Sequence, residues 1–168
     1  MITAELARRG IDFGRWPVIA SPTISDTELI ECYSDYFPEL NADGRYRHID
    51  VARMTADPAD PQWPSRAAAA RETFRSEHRH AEDEVRFFVA GQGCFYLHIG
   101  TEVAAVVCAG GDVVSVPAGT RHWFDMGARP DFVAIRFFER QDGWVGQFTG
   151  DPIGERFPGL EELLEAPC

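Results

Sequence analysis

Short apolar runs separated by glycine fill the second half of the chain. They are rich in β-branched and aromatic residues and cover residues 85–89, 94–99, 103–108, 112–116 and 132–138. Glycine-containing stretches at residues 91–93, 109–111 and 117–119 punctuate them. Short strands with glycine turns, and no alternation of helix and strand, are typical of an antiparallel sandwich or a small barrel. We therefore expect a mainly β fold.

The first 71 residues have a different character. Ser25, followed three positions later by Glu28, marks a helix start with a capping box, and the helix is expected to run to about Phe37. Prolines interrupt residues 57–64, which predicts a loop because proline removes a backbone donor and pushes its predecessor towards extended conformations. Residues 67–71 are helix-prone but short.

Three of the five histidines, together with one glutamate, form a pattern that suits a metal ion. The pattern is His78-x-His80-x3-Glu84, with His122 following Pro117-x-Gly119. On a strand, residues two apart share a face, so His78 and His80 point to the same side. A polar turn at residues 81–83 would let Glu84 return to them. Iron, nickel or zinc accepts such donors, and an octahedral ion would keep two positions for substrate oxygens.

An isolated histidine more often has a structural or surface role than a ligand role. We assign such roles to His48 and His98, and we expect the acidic pair Glu82 and Asp83 to be solvated or to support the metal ligands from behind. The grouped histidines and glutamate differ because buried polar groups need partners, and a metal supplies them.

Two arginines are candidates for contact with an anionic substrate. Arg86 shares the face of Glu84 by strand parity, and Arg136 lies in an apolar strand, where a permanently charged guanidinium needs an anion. That anion is either a substrate or an acid such as Glu84 or Glu139. For both arginines the alternative is a structural ion pair.

The organisation expected from these patterns is one domain. A chain of 168 residues with 45% hydrophobic content can bury its own core. Residues 1–71 should form helices and loops that pack on the barrel, residues 72–150 the metal-binding barrel core, and residues 151–168 a tail. Within that tail, residues 159–165 form a short acidic helix or a frayed end.

Charge and cysteine spacing bound the partners and the compartment. A formal net charge of −11 argues against nucleic acid and anionic membrane surfaces. Residues 1–16 lack the pattern of a signal peptide, and no stretch reaches membrane-spanning length. The widely spaced cysteines Cys32, Cys94, Cys108 and Cys168 suit a reduced cytoplasm. No heptad or long apolar edge calls for a partner, so we expect a monomer.

Residues 77–88 (EHRHAEDEVRFF) followed by Gly91-x-Gly93 resemble the first motif of the cupin superfamily, and Gly111-x5-Pro117-x-Gly119-x2-His122 resembles the second. More narrowly, the chain resembles the acireductone dioxygenase family. This resemblance extends from residues 4–16 to residues 136–138 and 143–145. Glu72 and Met126 depart from the general cupin pattern, which has glycine and asparagine there.

The resemblance implies a cupin-type double-stranded β-helix, a jelly-roll barrel with a few peripheral helices. It implies one Fe(II) or Ni(II) per monomer and cleavage of 1,2-dihydroxy-3-keto-5-(methylthio)pentene by dioxygen in methionine salvage. With iron the products would be formate and 4-methylthio-2-oxobutanoate, and with nickel 3-(methylthio)propanoate, carbon monoxide and formate. It also places Arg86 and Arg136 near the substrate.

Aromatic residues are candidates for the wall of the substrate pocket, because sulfur makes favourable contacts with aromatic rings. The candidates are Phe74, Phe88, Phe124 and Trp144, of which the resemblance supports the first and the last two. Aromatic residues in strands are, however, more often simply core.

Two other classes of function fit the same motifs. One is a different single-metal cupin enzyme, such as a sugar-phosphate isomerase or a thiol dioxygenase. A phosphorylated substrate would favour a wider basic patch than these two arginines. The other is a noncatalytic binding cupin, for which a complete set of four ligands is not expected.

Overall fold

The structure is a computed structural model that describes residues 2–166. Its strands are β1 (Asp12–Arg15), β2 (His48–Met54), β3 (His78–Arg79), β4 (Glu84–Ile99), β5 (Glu102–Ala109), β6 (Asp112–Val116), β7 (Arg121–Asp125), β8 (Phe132–Phe138) and β9 (Gln147–Phe148). Its α-helices are α1 (Ile2–Ala7), α2 (Asp26–Tyr33), α3 (Phe37–Leu40), α4 (Trp63–Arg75) and α5 (Leu160–Glu165). Two 3₁₀ turns cover Ser34–Tyr36 and Pro152–Arg156.

Two antiparallel sheets share the long strand β4. The first half of β4 pairs with β6 and β8, which extend to β1 and β2 respectively. The second half pairs with β5 and β7, and β7 continues through β3 to β9. This arrangement confirms the expected mainly β, cupin-type barrel.

Strand alternation divides the core into three layers. The barrel interior takes inward residues from both sheets, such as Phe88, Phe95 and Leu97. The opposite face of the first sheet packs Phe87 against α2 and its neighbours. The outer face of the second sheet packs Tyr96 against the C-terminal helix. Because one face of each strand is thus reserved for the interior, polar residues with inward parity must find partners inside the barrel.

The glycine stretch at residues 91–93 is a bend inside β4, not the turn that the sequence predicted. Gly91 has φ +72°, and a Cβ there would lie 1.9 Å from the Asp131 carbonyl oxygen. The register also shifts between Phe88 and Ala90, as at a β-bulge. Bulge and glycine together redirect the strand from one sheet to the other without ending it.

The N-terminal region differs in three ways from the sequence expectation. The capping box of Ser25 and Glu28 is present, but α2 ends at Tyr33. A 3₁₀ turn follows it, and Pro38 lies in the first turn of α3, where its missing N–H is tolerated. Helix α4 is longer than predicted and begins at Trp63, since proline is tolerated in a first turn. The region also contributes β1 and β2 to the barrel, so it is not only helices and loops.

The C-terminal tail contains the helix α5. Leu160 is buried against the second sheet, so the helical alternative holds and the frayed one does not. Cys94 and Cys108 are buried free thiols and Cys32 is exposed, while Cys168 lies outside the described residues. Among the described helices, none combines the length and apolar character needed to cross a bilayer.

Candidate metal centre

Four side chains meet at one end of the barrel interior. Their candidate ligand atoms all lie within 4.8 Å of one another and all four residues are buried. They are His78, His80, Glu84 and His122, and we refer to them as the donor cluster. The fold brings them together because β3 pairs with β7, which places His78 directly opposite His122. Glu84 opens β4 after the bend predicted at residues 81–83.

Backbone carbonyls orient the three imidazoles. His78 Nδ1 lies 2.7 Å from the Ser76 oxygen, and His122 Nδ1 lies 2.8 Å from the Thr120 oxygen. His80 Nδ1 lies 3.2 Å from the carbonyl oxygen of Val145. A carbonyl only accepts, so each Nδ1 carries the hydrogen, and in a neutral ring Nε2 is left with a lone pair. This is how histidine ligands are commonly held in metal sites.

The surroundings of Glu84 test whether a metal fits. Glu84 Oε2 lies 2.8 Å from His122 Nε2 and 3.0 Å from His80 Nε2. Neutral imidazoles that donate through Nδ1 cannot also donate through Nε2, so these lone pairs face a carboxylate oxygen with no hydrogen between them. A cation at this point resolves the conflict. The donor cluster therefore fits a divalent metal by its own chemistry.

The local electrostatics favour an ionised Glu84 and a neutral His78, the protonation states of metal ligands. Burial and the neighbouring His122 lower the pKa of His78 to about 4. Burial raises the pKa of Glu84, but the positive charge of Arg86 and the close approach of His122 and His80 outweigh it and hold that pKa well below the ordinary value. For His80, burial opposes the charged form and the contact with Glu84 favours it, and the pKa is raised, so in metal-free protein a proton competes with a metal ion for the Nε2 lone pair. Glu84 is thus anionic and His78 neutral near pH 7.

Arg86 lies beside the donor cluster, as strand parity predicted. Its Nη2 donates to Glu84 Oε1 over 2.8 Å, and only 6% of the residue is exposed. Its guanidinium carbon stands 4.8 Å from the ring centre of Phe124 and 5.1 Å from that of Trp144. The buried Nε has no hydrogen-bond partner among the described residues. Arg86 therefore keeps one buried donor unused.

Arg136 is the cross-strand partner of Arg86 on β8, but its acid is one that sequence reasoning did not name. Its Nε and Nη2 donate to the two carboxylate oxygens of Asp50 over 2.8 and 2.7 Å. Asp50 faces Arg136 because β2 pairs with β8. The two acids expected from the sequence have other partners. Glu84 pairs with Arg86, and Glu139 lies 3.8 Å from Arg45.

An open cleft of about 600 Å³ adjoins Arg136. Its lining includes Trp144, Val145 and Arg136 together with residues that the sequence did not single out for this role. Those residues are Arg47, His48, Ile49, Asp50, Phe138, Gln141 and Asp142. The alternation of polar and apolar residues at the start of residues 48–54 was the sequence signal for β2. In a strand, residues two apart share a face, so His48 and Asp50 lie on one side.

The four aromatic candidates occupy different places. Trp144 lines the cleft and stacks on His80, with ring centres 6.3 Å apart. Phe124 lies inside the barrel, where its ring faces Arg86. Phe88 packs in the same core, and half-buried Phe74 packs on it from α4. Their role as substrate contacts stays a prediction.

The acidic pair beside the donor cluster is not solvated as expected. Glu82 is 5% exposed and accepts hydrogen bonds from the backbone N–H groups of residues 139 and 140. Asp83 is half-buried and accepts from the Ala118 N–H over 2.9 Å. His98 has the structural role predicted for it, because its Nδ1 lies 2.5 Å from Glu77 Oε2.

Comparison with known proteins gives a consistent result. The model of the ARD/ARD' family matches residues 41–146, which include the whole donor cluster. The chain is 66% identical to acireductone dioxygenase 2 of Nocardia farcinica, over 99% of this chain and 87% of that protein. It is 49% identical to an acireductone dioxygenase of Prochlorococcus marinus, over 95% of this chain and 84% of the relative.

A solved structure is similar in fold. It is an acireductone dioxygenase from Bacillus anthracis with a cadmium ion in its active centre. The two structures align with a TM-score of 0.75 and 25% identity, and the alignment covers 88% of each chain.

Proposed function

The chain belongs to the ARD/ARD' family, and we propose that it is a metal-dependent dioxygenase that cleaves an acireductone with dioxygen at the donor cluster. The substrate implied is 1,2-dihydroxy-3-keto-5-(methylthio)pentene. The observation that carries the proposal is the convergence of three imidazole lone pairs and one carboxylate within 4.8 Å in a buried site. One divalent ion per chain follows from that cluster.

Iron(II) or nickel(II) would be held by His78, His80, Glu84 and His122, and it would supply Lewis-acid chemistry towards the oxygens of the enediol. With iron the expected products are formate and 4-methylthio-2-oxobutanoate. With nickel they are 3-(methylthio)propanoate, carbon monoxide and formate. Both metals accept imidazole and carboxylate donors, so metal supply decides which product set forms.

The charges around the donor cluster suit a dianionic substrate. The negative charge of Glu84 is balanced by Arg86, which donates to it. The three imidazoles are neutral as ligands, so a divalent ion leaves two net positive charges in a buried site. An acireductone dianion neutralises them, and burial strengthens that attraction.

Arg86 is proposed to bind the substrate through its unused Nε–H. A buried donor without a partner costs about 1–3 kcal/mol, and an enediolate oxygen would remove that cost. The guanidinium carbon lies 4.8 Å from the ring centre of Phe124 and 5.1 Å from that of Trp144, and these contacts limit its movement. Arg86 would thus orient the substrate and stabilise its ionised form.

Arg136 and Trp144 are proposed to form the wall along which the substrate enters. Arg136 is neutralised in part by Asp50, so its contribution to substrate binding should be smaller than that of Arg86. Trp144 offers an aromatic face to the thioether tail. The monomeric state and cytoplasmic location expected from the sequence remain predictions.

The test is reconstitution with separate metals. Protein freed of metal is loaded with iron(II) or with nickel(II), and oxygen-dependent loss of the acireductone is followed together with product analysis. We expect turnover with both metals and carbon monoxide only with nickel. If neither iron(II) nor nickel(II) supported turnover at full metal occupancy, the proposal would be overturned.

A further inference from the structure

Residues 139–149, which follow β8 and include β9, lie over the donor cluster. We call them the cover segment. Trp144 stacks on His80 at an interplanar angle of 28°, and the Val145 carbonyl lies 3.2 Å from His80 Nδ1. The path of this segment therefore decides both the wall of the cleft and one support of the donor cluster.

Glu82 holds the start of the cover segment. Its two carboxylate oxygens accept the N–H groups of Glu139 and Arg140, each over 3.2 Å. The Arg140 side chain is 66% exposed, and its Nε lies 3.9 Å away. Main-chain groups, and not a side-chain ion pair, are therefore the principal partners of this buried carboxylate.

Gly143 leaves room for the same carboxylate. A Cβ at Gly143 would lie 1.5 Å from Glu82 Oε1 and 1.9 Å from Cδ. Gly143 is not among the glycines with positive φ, so the absence of a side chain matters for space and not for backbone conformation. Residues 140–143 form a turn closed by the Gly143 N–H to the Arg140 carbonyl over 3.1 Å. Glu82 thus contacts this turn at both ends.

Trp144 directly follows this turn, and its indole is held by a hydrogen bond and by contacts with three side chains. Its Nε1 donates to the Asp83 carbonyl over 3.2 Å. Its ring lies 4.3 Å from Phe138 and faces Arg86 and Arg136 at 5.1 and 5.5 Å. Any shift of the turn therefore moves the surface against which both arginines pack.

We propose that Glu82 is a positioning residue that, through the turn ending at Gly143, fixes Trp144 as the wall of the substrate cleft. The inference rests on the proposed function for its kinetic consequence, but not for its structural one. It assigns Glu82 a role without direct contact with metal or substrate.

A double-mutant cycle tests the coupling. Gly143→Ala should reduce kcat/KM about tenfold, mainly through a higher KM, because a displaced wall misplaces the substrate. Glu82→Ala should have an effect of similar size, and the double variant should be no worse than Glu82→Ala alone, because the clash has been removed. Additive effects, or unchanged kinetics in both single variants, would overturn the proposal.

Arg140→Ala is the matched control. It removes the nearest cation but keeps the backbone N–H that Glu82 binds, so kcat/KM should change less than about twofold, as for an exposed ion pair. A loss as large as that of Glu82→Ala would show that the side-chain pair matters, and would overturn the main-chain explanation. Bound metal, measured per chain at saturating metal, should stay at the parent level in all these variants, because the four ligand side chains are unchanged.

Acrylamide quenching of the Trp144 fluorescence gives a readout that needs no turnover. The contribution of Trp144 is the difference between each protein and its Trp144→Phe counterpart. Quenching of Trp144 should increase in Glu82→Ala and in the milder Glu82→Gln, which keeps the size of the side chain and serves if the alanine variant does not fold. Unchanged quenching would overturn the inference, whereas an inactive parent with increased quenching would overturn only the proposed function.

Discussion

Two buried carboxylates of similar exposure have opposite surroundings. Glu84 is 2% exposed and Asp125 is 0% exposed. Asp125 accepts two hydrogen bonds from Arg71, over 2.7 and 3.0 Å, and one each from the N–H groups of Gly127 and Leu160. Every partner of Asp125 brings its own hydrogen. The protein alone satisfies this carboxylate.

Glu84 is only partly satisfied in this way. Arg86 donates to one oxygen, but the other oxygen faces two imidazole nitrogens whose hydrogens are placed on the far side of the rings. The number of neighbours does not separate a structural acid from a ligand. What separates them is whether the neighbours carry hydrogens, and the following predictions test that difference.

The largest effect is expected for Glu84→Ala. Removal of the carboxylate should abolish stable binding of one metal ion per chain. It should also lower the free energy of unfolding by about 3–5 kcal/mol, because Arg86 is left as an uncompensated buried charge. Metal analysis and urea unfolding measure the two effects. Parent-level metal content in this variant would remove Glu84 from the ligand set.

Asp125→Ala should behave differently. We expect a loss of about 2–4 kcal/mol in the free energy of unfolding, since Arg71 and two backbone N–H groups lose their acceptor. Metal content should be unchanged after loading, because Asp125 lies on the outer face of β7 and His122 on the inner face. If this variant lost metal as completely as Glu84→Ala, the contrast between the two acids would be wrong.

The Arg86→Ala variant should still bind the metal, but its kcat/KM should fall. One charge-assisted hydrogen bond is worth about 1.5–3 kcal/mol, so kcat/KM should fall by about tenfold to hundredfold. Steady-state kinetics on the metal-loaded variant measure this loss. Parent-like kinetics would leave Arg86 with a purely structural ion pair to Glu84.

The smallest effect is a pH dependence. Burial raises the pKa of Asp125, but the hydrogen bonds from Arg71, Leu160 and Gly127 lower it below the ordinary value of 3.8. The unfolded chain therefore binds this proton first as pH falls, and the stabilisation from the ionised carboxylate is lost in that range. In metal-free protein, the stability gap between the parent and Asp125→Asn should narrow below about pH 4. A constant gap would contradict the assigned pKa direction.

The donor cluster could be predicted from the sequence because its information is mostly local. Strand parity aligns His78 with His80 and Glu84 with Arg86. The polar residues 81–83, between His80 and Glu84, predict the bend. His122 is the one distant member, and the proline and glycine before it mark the turn that leads into β7. The donor cluster therefore depends on few contacts between distant segments of the chain.

The partners that were missed depend on pairing between distant segments. Asp50 meets Arg136 only because β2 pairs with β8, 86 positions later in the chain. Glu82 is buried only because the cover segment returns to it, so its local composition wrongly favoured a solvated group. Gly91 and its neighbours have the composition of a turn, but the approach of Asp131 makes them a bend within one strand.

Anomalous X-ray diffraction from crystals of the nickel-loaded protein tests the central claim most directly. The account predicts one strong peak per chain, within bonding distance of the Nε2 atoms of the three cluster histidines and of a Glu84 oxygen. A peak elsewhere, or no peak within the donor cluster at full nickel loading, would contradict it.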